Sequence, residues 1–227
     1  MQQAFEVLIG AIPYLLGGTG LTVAAVVGGM LIGLVLGLPM AVAEVYGPRP
    51  LAWLVRVYVW FFRGVPILVL LFLFYFGLFQ LIGWNIDALT AATLVLGMAS
   101  GAYQSQIFRG SIESLSKGQF RAASALGFTD RQAIVSIVLP QAMRLSLPGW
   151  SNEYSILLKD SALAFVLGAT EIMARTQFVA TRTYQHLALS LAACGIYFVL
   201  TWAGVRALRM LERRVAVPGF GQQEARA

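Results

Sequence analysis

The sequence predicts an all-α, polytopic membrane protein with five transmembrane helices, the N-terminus outside and the C-terminus cytoplasmic. Three observations carry that expectation. Of 227 residues, 59% are hydrophobic and 11% charged, with mean hydropathy +0.76, whereas a soluble domain holds about 45–50% apolar and about 25% charged residues. Uncharged stretches at 7–43, 64–86, 88–108 and 187–205 each approach or exceed the roughly 20 residues that cross a bilayer. Lys and Arg flank those stretches one-sidedly.

The first stretch is too long for one span. Pro13 with Gly17, Gly18 and Gly20 divides it into a short interfacial segment and a span at about 19–45. Ala25, Gly29, Gly33 and Gly37 recur every fourth residue there, a spacing that lets another helix come close. A second span covers about 51–82, because Trp53 to Phe62 continue the apolar pattern. Its aromatics, 60–62 and 72–79, read as belt and lipid-facing residues rather than a gate. The third span is 88–109 and the last 186–208, all within a single transmembrane domain over 1–227. His186 opens the last span with no second His or carboxylate at ligand spacing, so no metal site is expected. Cys194 is alone and reads as packing. The opening MQQAFEVL lacks a basic n-region, so no cleaved signal peptide is expected.

Charge supplies the fifth span. Nothing basic precedes the first span, while Arg206, Arg209, Arg213, Arg214 and Arg226 follow the last uncharged stretch. The two ends therefore lie on opposite sides, which requires an odd number of crossings. The missing one is about 141–161, QAMRLSLPGWSNEYSILLKDS. Arg49 and Arg56 then fall inside, the 83–87 turn outside, and the loop carrying Arg109, Lys117, Arg121, Arg131 and Arg144 inside. The pI of 9.8 is thus explained by topology, and no nucleic-acid partner is expected.

Ionisable groups at membrane depth are costly on a lipid-facing surface, and the fifth span holds Asn152, Glu153, Lys159 and Asp160. Glu153 and Asp160 are about 20° apart around a helix. One reading has this face line a pathway. Another pairs Lys159 with Asp160 at the outer interface and buries Glu153 as a protonated carboxyl.

The loop from Phe108 to Arg144 is the most informative stretch. Residues 121–127, RAASALG, predict a helix closed by Gly127, then Thr129 caps a second helix over 130–139 that Pro140 ends. Two short helices in a basic cytoplasmic loop suggest a docking element for a soluble partner.

This loop resembles the EAA loop of bacterial ABC importer permeases: Ala122, Ala123 and Gly127 match, as do Ile137, Leu139 and Pro140. FFRGVPILVLLF at 61–72, GAYQSQIFRG at 101–110, KGQFRAASALG at 117–127 and NEYSILLKDSAL at 152–163 are similar to the histidine, glutamine, glutamate, arginine and opine subfamily of polar amino-acid permeases. The similarity runs from about Thr19 to Arg214. Two carboxylates of the pattern are replaced, by Arg121 in the triplet and by Gln106 before Ile-Phe-Arg-Gly. Arg121 reverses the charge offered to the ATPase and calls for an acidic partner residue.

The resemblance implies a multi-pass permease of the bacterial cytoplasmic (inner) membrane that pairs with itself or a sister permease. It implies two ATP-binding ATPase subunits, docked through a coupling loop at 110–140 with Gly118, Arg121, Ala122, Ala123, Leu126, Gly127 and Phe128. An extracytoplasmic amino-acid-binding protein would deliver the substrate, and membrane lipid surrounds the spans. No G-x-x-x-x-G-K-[ST] is present, so ATP and Mg belong to the partner ATPase and no cofactor or catalytic residue is expected in this chain. For a polar amino acid, basic ones included, Glu153 and Asp160 would face the ammonium or cationic end, with Asn152, Ser161, Ser100 and Tyr103 as hydrogen-bonding neighbours.

Other function classes fit less well. An intramembrane protease needs a nucleophile and base that meet; no G-x-S-x-G occurs, and His186 with Ser190 is the sole Ser–His pairing visible within a helix. A self-contained secondary transporter or channel needs a pathway within one chain. Five spans are few for that, and inverted repeats are not evident. A scaffold would use the loop only for recruitment.

Overall fold

The computed structural model describes residues 2–115 and 117–215. Arg226 and the side chain of Lys117, both used to orient the chain, lie outside the described residues. Every regular element among the described residues is helical. In chain order they are α1 (Gln2–Leu16), α2 (Thr19–Tyr46), α3 (Arg49–Gly64) and α4 (Ile67–Phe72), which continues through a π-helical turn (Leu73–Leu78) into α5 (Phe79–Leu81). Next are α6 (Ala88–Ser114), α7 (Lys117–Ala125), α8 (Asp130–Ala133), a second π-helical turn (Ile134–Val138) and α9 (Leu139–Leu145). The chain closes with α10 (Leu147–Asp160), a 3-10 segment (Ser161–Leu167), α11 (Ile172–Thr183) and α12 (His186–Val215).

The centre of the molecule is the pair α2 and α6. The four-residue stripe on α2 faces α6: a methyl on Gly33 would meet the Ser100 hydroxyl oxygen at 2.9 Å, and one on Gly37 the Gly101 carbonyl and Ser105 amide at 3.0 Å. Hydrogen in place of a side chain is what permits this separation. Around the pair, Val55, Val59, Leu70, Leu71, Ala164 and Leu167 close one core against α6. Val26, Met30, Leu96, Leu157 and Leu158 form a second, joining α2, α6 and α10.

By length and apolarity, α2 and α12 qualify alone as membrane-crossing helices. The second expected span is not straight. Arg49–Gly64 and Ile67–Leu81 qualify together but meet at 106°, because Val65 is extended at φ −100°, ψ 132° ahead of Pro66, whose ring disfavours a helical predecessor. α6 is long enough to cross but is interior: Ser100, Gln104 and Ser105 are buried within it, so it answers to protein contacts rather than lipid.

Two further expectations are corrected. Pro140 does not end a helix: α9 continues to Leu145, and the π-helical turn just before the proline loosens the ladder where its ring would clash and its amide is missing. The segment expected as a fifth crossing, 141–161, is not one helix: it is interrupted at Ser146 (φ −81°, ψ −12°) before Pro148, and past Asp160 it goes on as the 3-10 segment to Gly168, which takes φ +96°. α11 was not expected at all. Glu171 caps it, its carboxylate accepting from the Ala174 amide at 2.8 Å.

Candidate functional site

Glu153 is 3% exposed and Ser100 1%, yet neither is unsatisfied. The Ser100 hydroxyl donates to Glu153 Oε1 at 2.7 Å. Gln104, one turn along α6, donates through Nε2 to Ser100 Oγ at 3.0 Å and to the Met30 carbonyl at 3.0 Å. Trp150 Nε1 donates to Gln104 Oε1 at 2.6 Å. A polar relay thus runs from α10 through α6 and back to α10, braced on α2, and it fixes the carboxylate's direction.

Glu153 and Asp160 both face a cavity of about 50 Å³ between α6, α10 and the α3–α4 break, together with Ser100 and Tyr103. That volume holds a water or two, whose share of liquid is about 30 Å³ each, so the cavity is closed at the scale of an amino acid. Of the expected contact residues, four therefore share one cavity. Asn152 is exposed on another side of α10, and the Ser161 hydroxyl is spent on the Leu158 carbonyl at 2.7 Å. No ion pair joins Lys159 to Asp160 among the described residues.

Arg63 was missed by sequence reading. At the end of α3, its guanidinium lies 5.0 Å from the centroid of the Tyr103 ring and has no carboxylate partner among the described residues. It places a cation beside a cavity walled by two carboxyl groups. Glu171 was also missed: it is 1% exposed, and its second oxygen accepts from the Tyr197 hydroxyl at 2.5 Å. Its donors are all internal, so it fastens α11 to α12 rather than facing a ligand.

The second region is the elbow after α6. Gly127 takes φ +84°, where only glycine is unstrained, and Thr129 exchanges hydrogen bonds with Gln132 in a capping box. Gly118, Arg121, Ala122, Gly127 and Phe128 are exposed, and Leu126 is 77% exposed, which makes an exposed apolar and basic surface. Ala123 is instead buried at 1% and turns inward. Phe120 stacks on Tyr46, the last residue of α2, at 6.1 Å and 17°, beside a cavity of about 540 Å³ between α7 and the ends of α2 and α6.

Above the elbow, Glu44 is held from two sides. Arg109 pairs with it at 2.7 Å, and Gln106 Nε2 donates to it at 2.9 Å. Arg109 also reaches Glu113 at 3.0 Å. The departure at 106 thus supplies a donor where a carboxylate would face Glu44.

Comparison with known proteins decides what this arrangement belongs to. Residues 29–217 match the family model described as binding-protein-dependent transport system inner membrane component. The chain belongs to that family. It is 37% identical over 200 residues to the arginine transport system permease protein ArtQ of Bacillus subtilis (strain 168), covering 88% of this chain and 91% of ArtQ. The octopine transport system permease protein OccQ of Agrobacterium tumefaciens (strain Ach5) is 34% identical over 212 residues, 88% of this chain and 89% of OccQ. The L-cystine transport system permease protein TcyB of Bacillus subtilis (strain 168) is 33% identical over 204 residues, 89% of this chain and 87% of TcyB. Among solved structures, a chain of an amino acid ABC transporter with histidines superposes with TM-score 0.81 at 32% identity, covering 91% of this chain and 96% of that one. A chain of the methionine transporter MetNI, at 19% identity and TM-score 0.77 over 90% of this chain and 97% of that one, shares the fold. As a member of this family the chain is a transport component, not an enzyme.

Proposed function

We propose that this chain is the permease subunit of an ATP-driven amino-acid importer, with five crossings, N-terminus outside and C-terminus in the cytoplasm. The crossings are α2, the bent α3–α4 pair, α6, α10 with its 3-10 extension, and α12. The observation that carries the reading is the buried Glu153, held by Ser100 at a closed cavity, on α10, which follows α9 and the exposed elbow in the chain. An ionisable group at membrane depth is costly on a lipid-facing surface, and its retention marks a functional site by default.

In this reading the substrate is a polar amino acid delivered by a binding protein. Its ammonium or cationic group meets Glu153 and Asp160, with Ser100 and Tyr103 as hydrogen-bonding neighbours. Arg63 supplies the matching charge for the α-carboxylate, since a zwitterion needs both signs within a few ångström. The exposed Asn152 then serves a second permease subunit, and the buried Ser161 closes the end of α10. Opening the cavity requires α10 to move against α6 and the α3–α4 break, as alternating access demands.

Two ATPase subunits provide the motion, holding ATP and Mg themselves, and dock on Arg121, Ala122, Leu126 and Phe128 with Gly118 and Gly127 allowing close approach; Ala123 anchors the elbow. The Phe120–Tyr46 stack passes displacement to α2, whose glycine face is locked to α6. Partners of the ATPase must distinguish the two states, because a ligand shifts an equilibrium only by its differential affinity. The test is purification with the neighbouring ATPase and binding protein, followed by ATP hydrolysis with candidate amino acids. Hydrolysis that rises with one amino acid supports the importer; an assembly that excludes a soluble, expressed ATPase supports a channel or secondary transporter.

A further inference from the structure

One exposed face of α12 carries an aromatic and basic stripe. Phe198, Trp202, Arg206, Arg209 and Arg213 are all exposed and fall within about 80° of one another around the helix. They line a groove of about 350 Å³ together with Met210. The stripe passes from aromatic to basic along its length, with the Arg206 guanidinium 5.5 Å from the Trp202 ring centroid. None of the three arginines has an ion pair among the described residues, where the only pairs are those of Arg109. Glu212 is on the flank of the stripe and is not within ion-pair distance of any of them.

Three unpaired guanidiniums spaced over roughly 10 Å of helix repel one another unless an anion sits between them. The apolar end of the same groove belongs to a helix long and apolar enough to cross a membrane. An anion with an apolar body attached meets both halves at once. We propose that this groove binds an anionic phospholipid, its phosphate on Arg206, Arg209 and Arg213 and its acyl chain along Phe198 and Trp202. Guanidinium suits the task because its planar fork takes phosphate oxygens two at a time, and an indole at the headgroup level is a common interfacial anchor. The proposal needs only that α12 lies in the bilayer, and it stands apart from the transport reading.

The test places the purified permease, with its ATPase, in phosphatidylcholine nanodiscs containing either phosphatidylglycerol or phosphatidylcholine with brominated acyl chains, at equal mole fraction. The part of the tryptophan quenching that disappears in Trp202→Phe reports the groove. Phosphatidylglycerol should quench that part at severalfold lower concentration, since each arginine near an anionic headgroup contributes roughly fivefold, and R206Q/R209Q/R213Q should remove the preference. Equal quenching by the two lipids overturns the proposal, as does a preference that survives in the triple variant. Absence of quenching at Trp202 by either lipid also overturns it, because a protein neighbour then covers the groove. If the triple variant does not assemble, the wild-type lipid comparison decides alone.

Discussion

Ser100 and Glu153, separated by 53 positions in sequence, share a buried 2.7 Å hydrogen bond that ties α6 to α10. The bond does two things at once. It satisfies a carboxyl group that would otherwise be stranded in a low-dielectric interior, and it joins two residues that line the cavity shared with Asp160.

Replacing Glu153 by Gln keeps an acceptor for Ser100 and removes the charge. Assembly with the ATPase should persist while the substrate concentration for half-maximal uptake rises about tenfold or more, the worth of a hydrogen bond to a charged group. Unchanged uptake kinetics would remove Glu153 from the pathway.

The close approach of α2 and α6 makes a prediction for stability. Gly33→Val forces a side chain onto Ser100 and Gln104 and should cost about 1–3 kcal/mol, seen as a lower thermal midpoint in detergent. Gly20→Ala, with open space around it, should leave the midpoint unchanged or slightly raised.

Gln106→Glu sets a second carboxylate beside Glu44 and removes its amide donor. The variant should lose about 1–3 kcal/mol. Adding Glu44→Gln restores one donor and one acceptor, with Arg109 still in reach, and should recover most of the loss in a double-mutant cycle.

Phe120→Ala removes the stack on Tyr46 and leaves the exposed face of the elbow intact. ATPase binding should be retained while the ATP hydrolysed per substrate transported rises severalfold. A parallel fall in ATPase copurification would make Phe120 a docking residue instead of a transmitter.

Arg121 is exposed without an ion pair among the described residues. Arg121→Glu should weaken ATPase binding by up to about fivefold, because a solvent-exposed pair contributes about 0–1 kcal/mol. The loss should shrink as salt is raised, which a salt series of pull-downs would show.

The elbow was the most legible part of the sequence. Gly127 and Thr129 announce a turn and a cap by chemistry that acts within four residues, and the structure has both. The glycine stripe on α2 was legible for the same reason: its signal is a local period. Pro140 misled because its cost is absorbed by a π-helical turn, while Val138 and Ala142 on either side are buried in one cluster. α11 was invisible to hydropathy; its polar sequence is held by the Glu171 cap and by Ile172 and Ala180 inside the protein.

In the site, the helical period puts Glu153 and Asp160 on one face, and both line one cavity. Arg63 escaped because its neighbour Tyr103 is 40 positions away, across a break that turns the chain by 106°. The Gly-Val-Pro that follows Arg63 was the available signal, since a proline after an extended residue marks where a span changes direction.

The most direct test of the account is uptake into proteoliposomes that hold the full assembly, with ATP inside and binding protein and labelled amino acid outside. The account predicts accumulation that requires ATP, ignores an imposed ion gradient, and weakens in Glu153→Gln at low substrate. Accumulation that follows the ion gradient in the absence of ATP would contradict it.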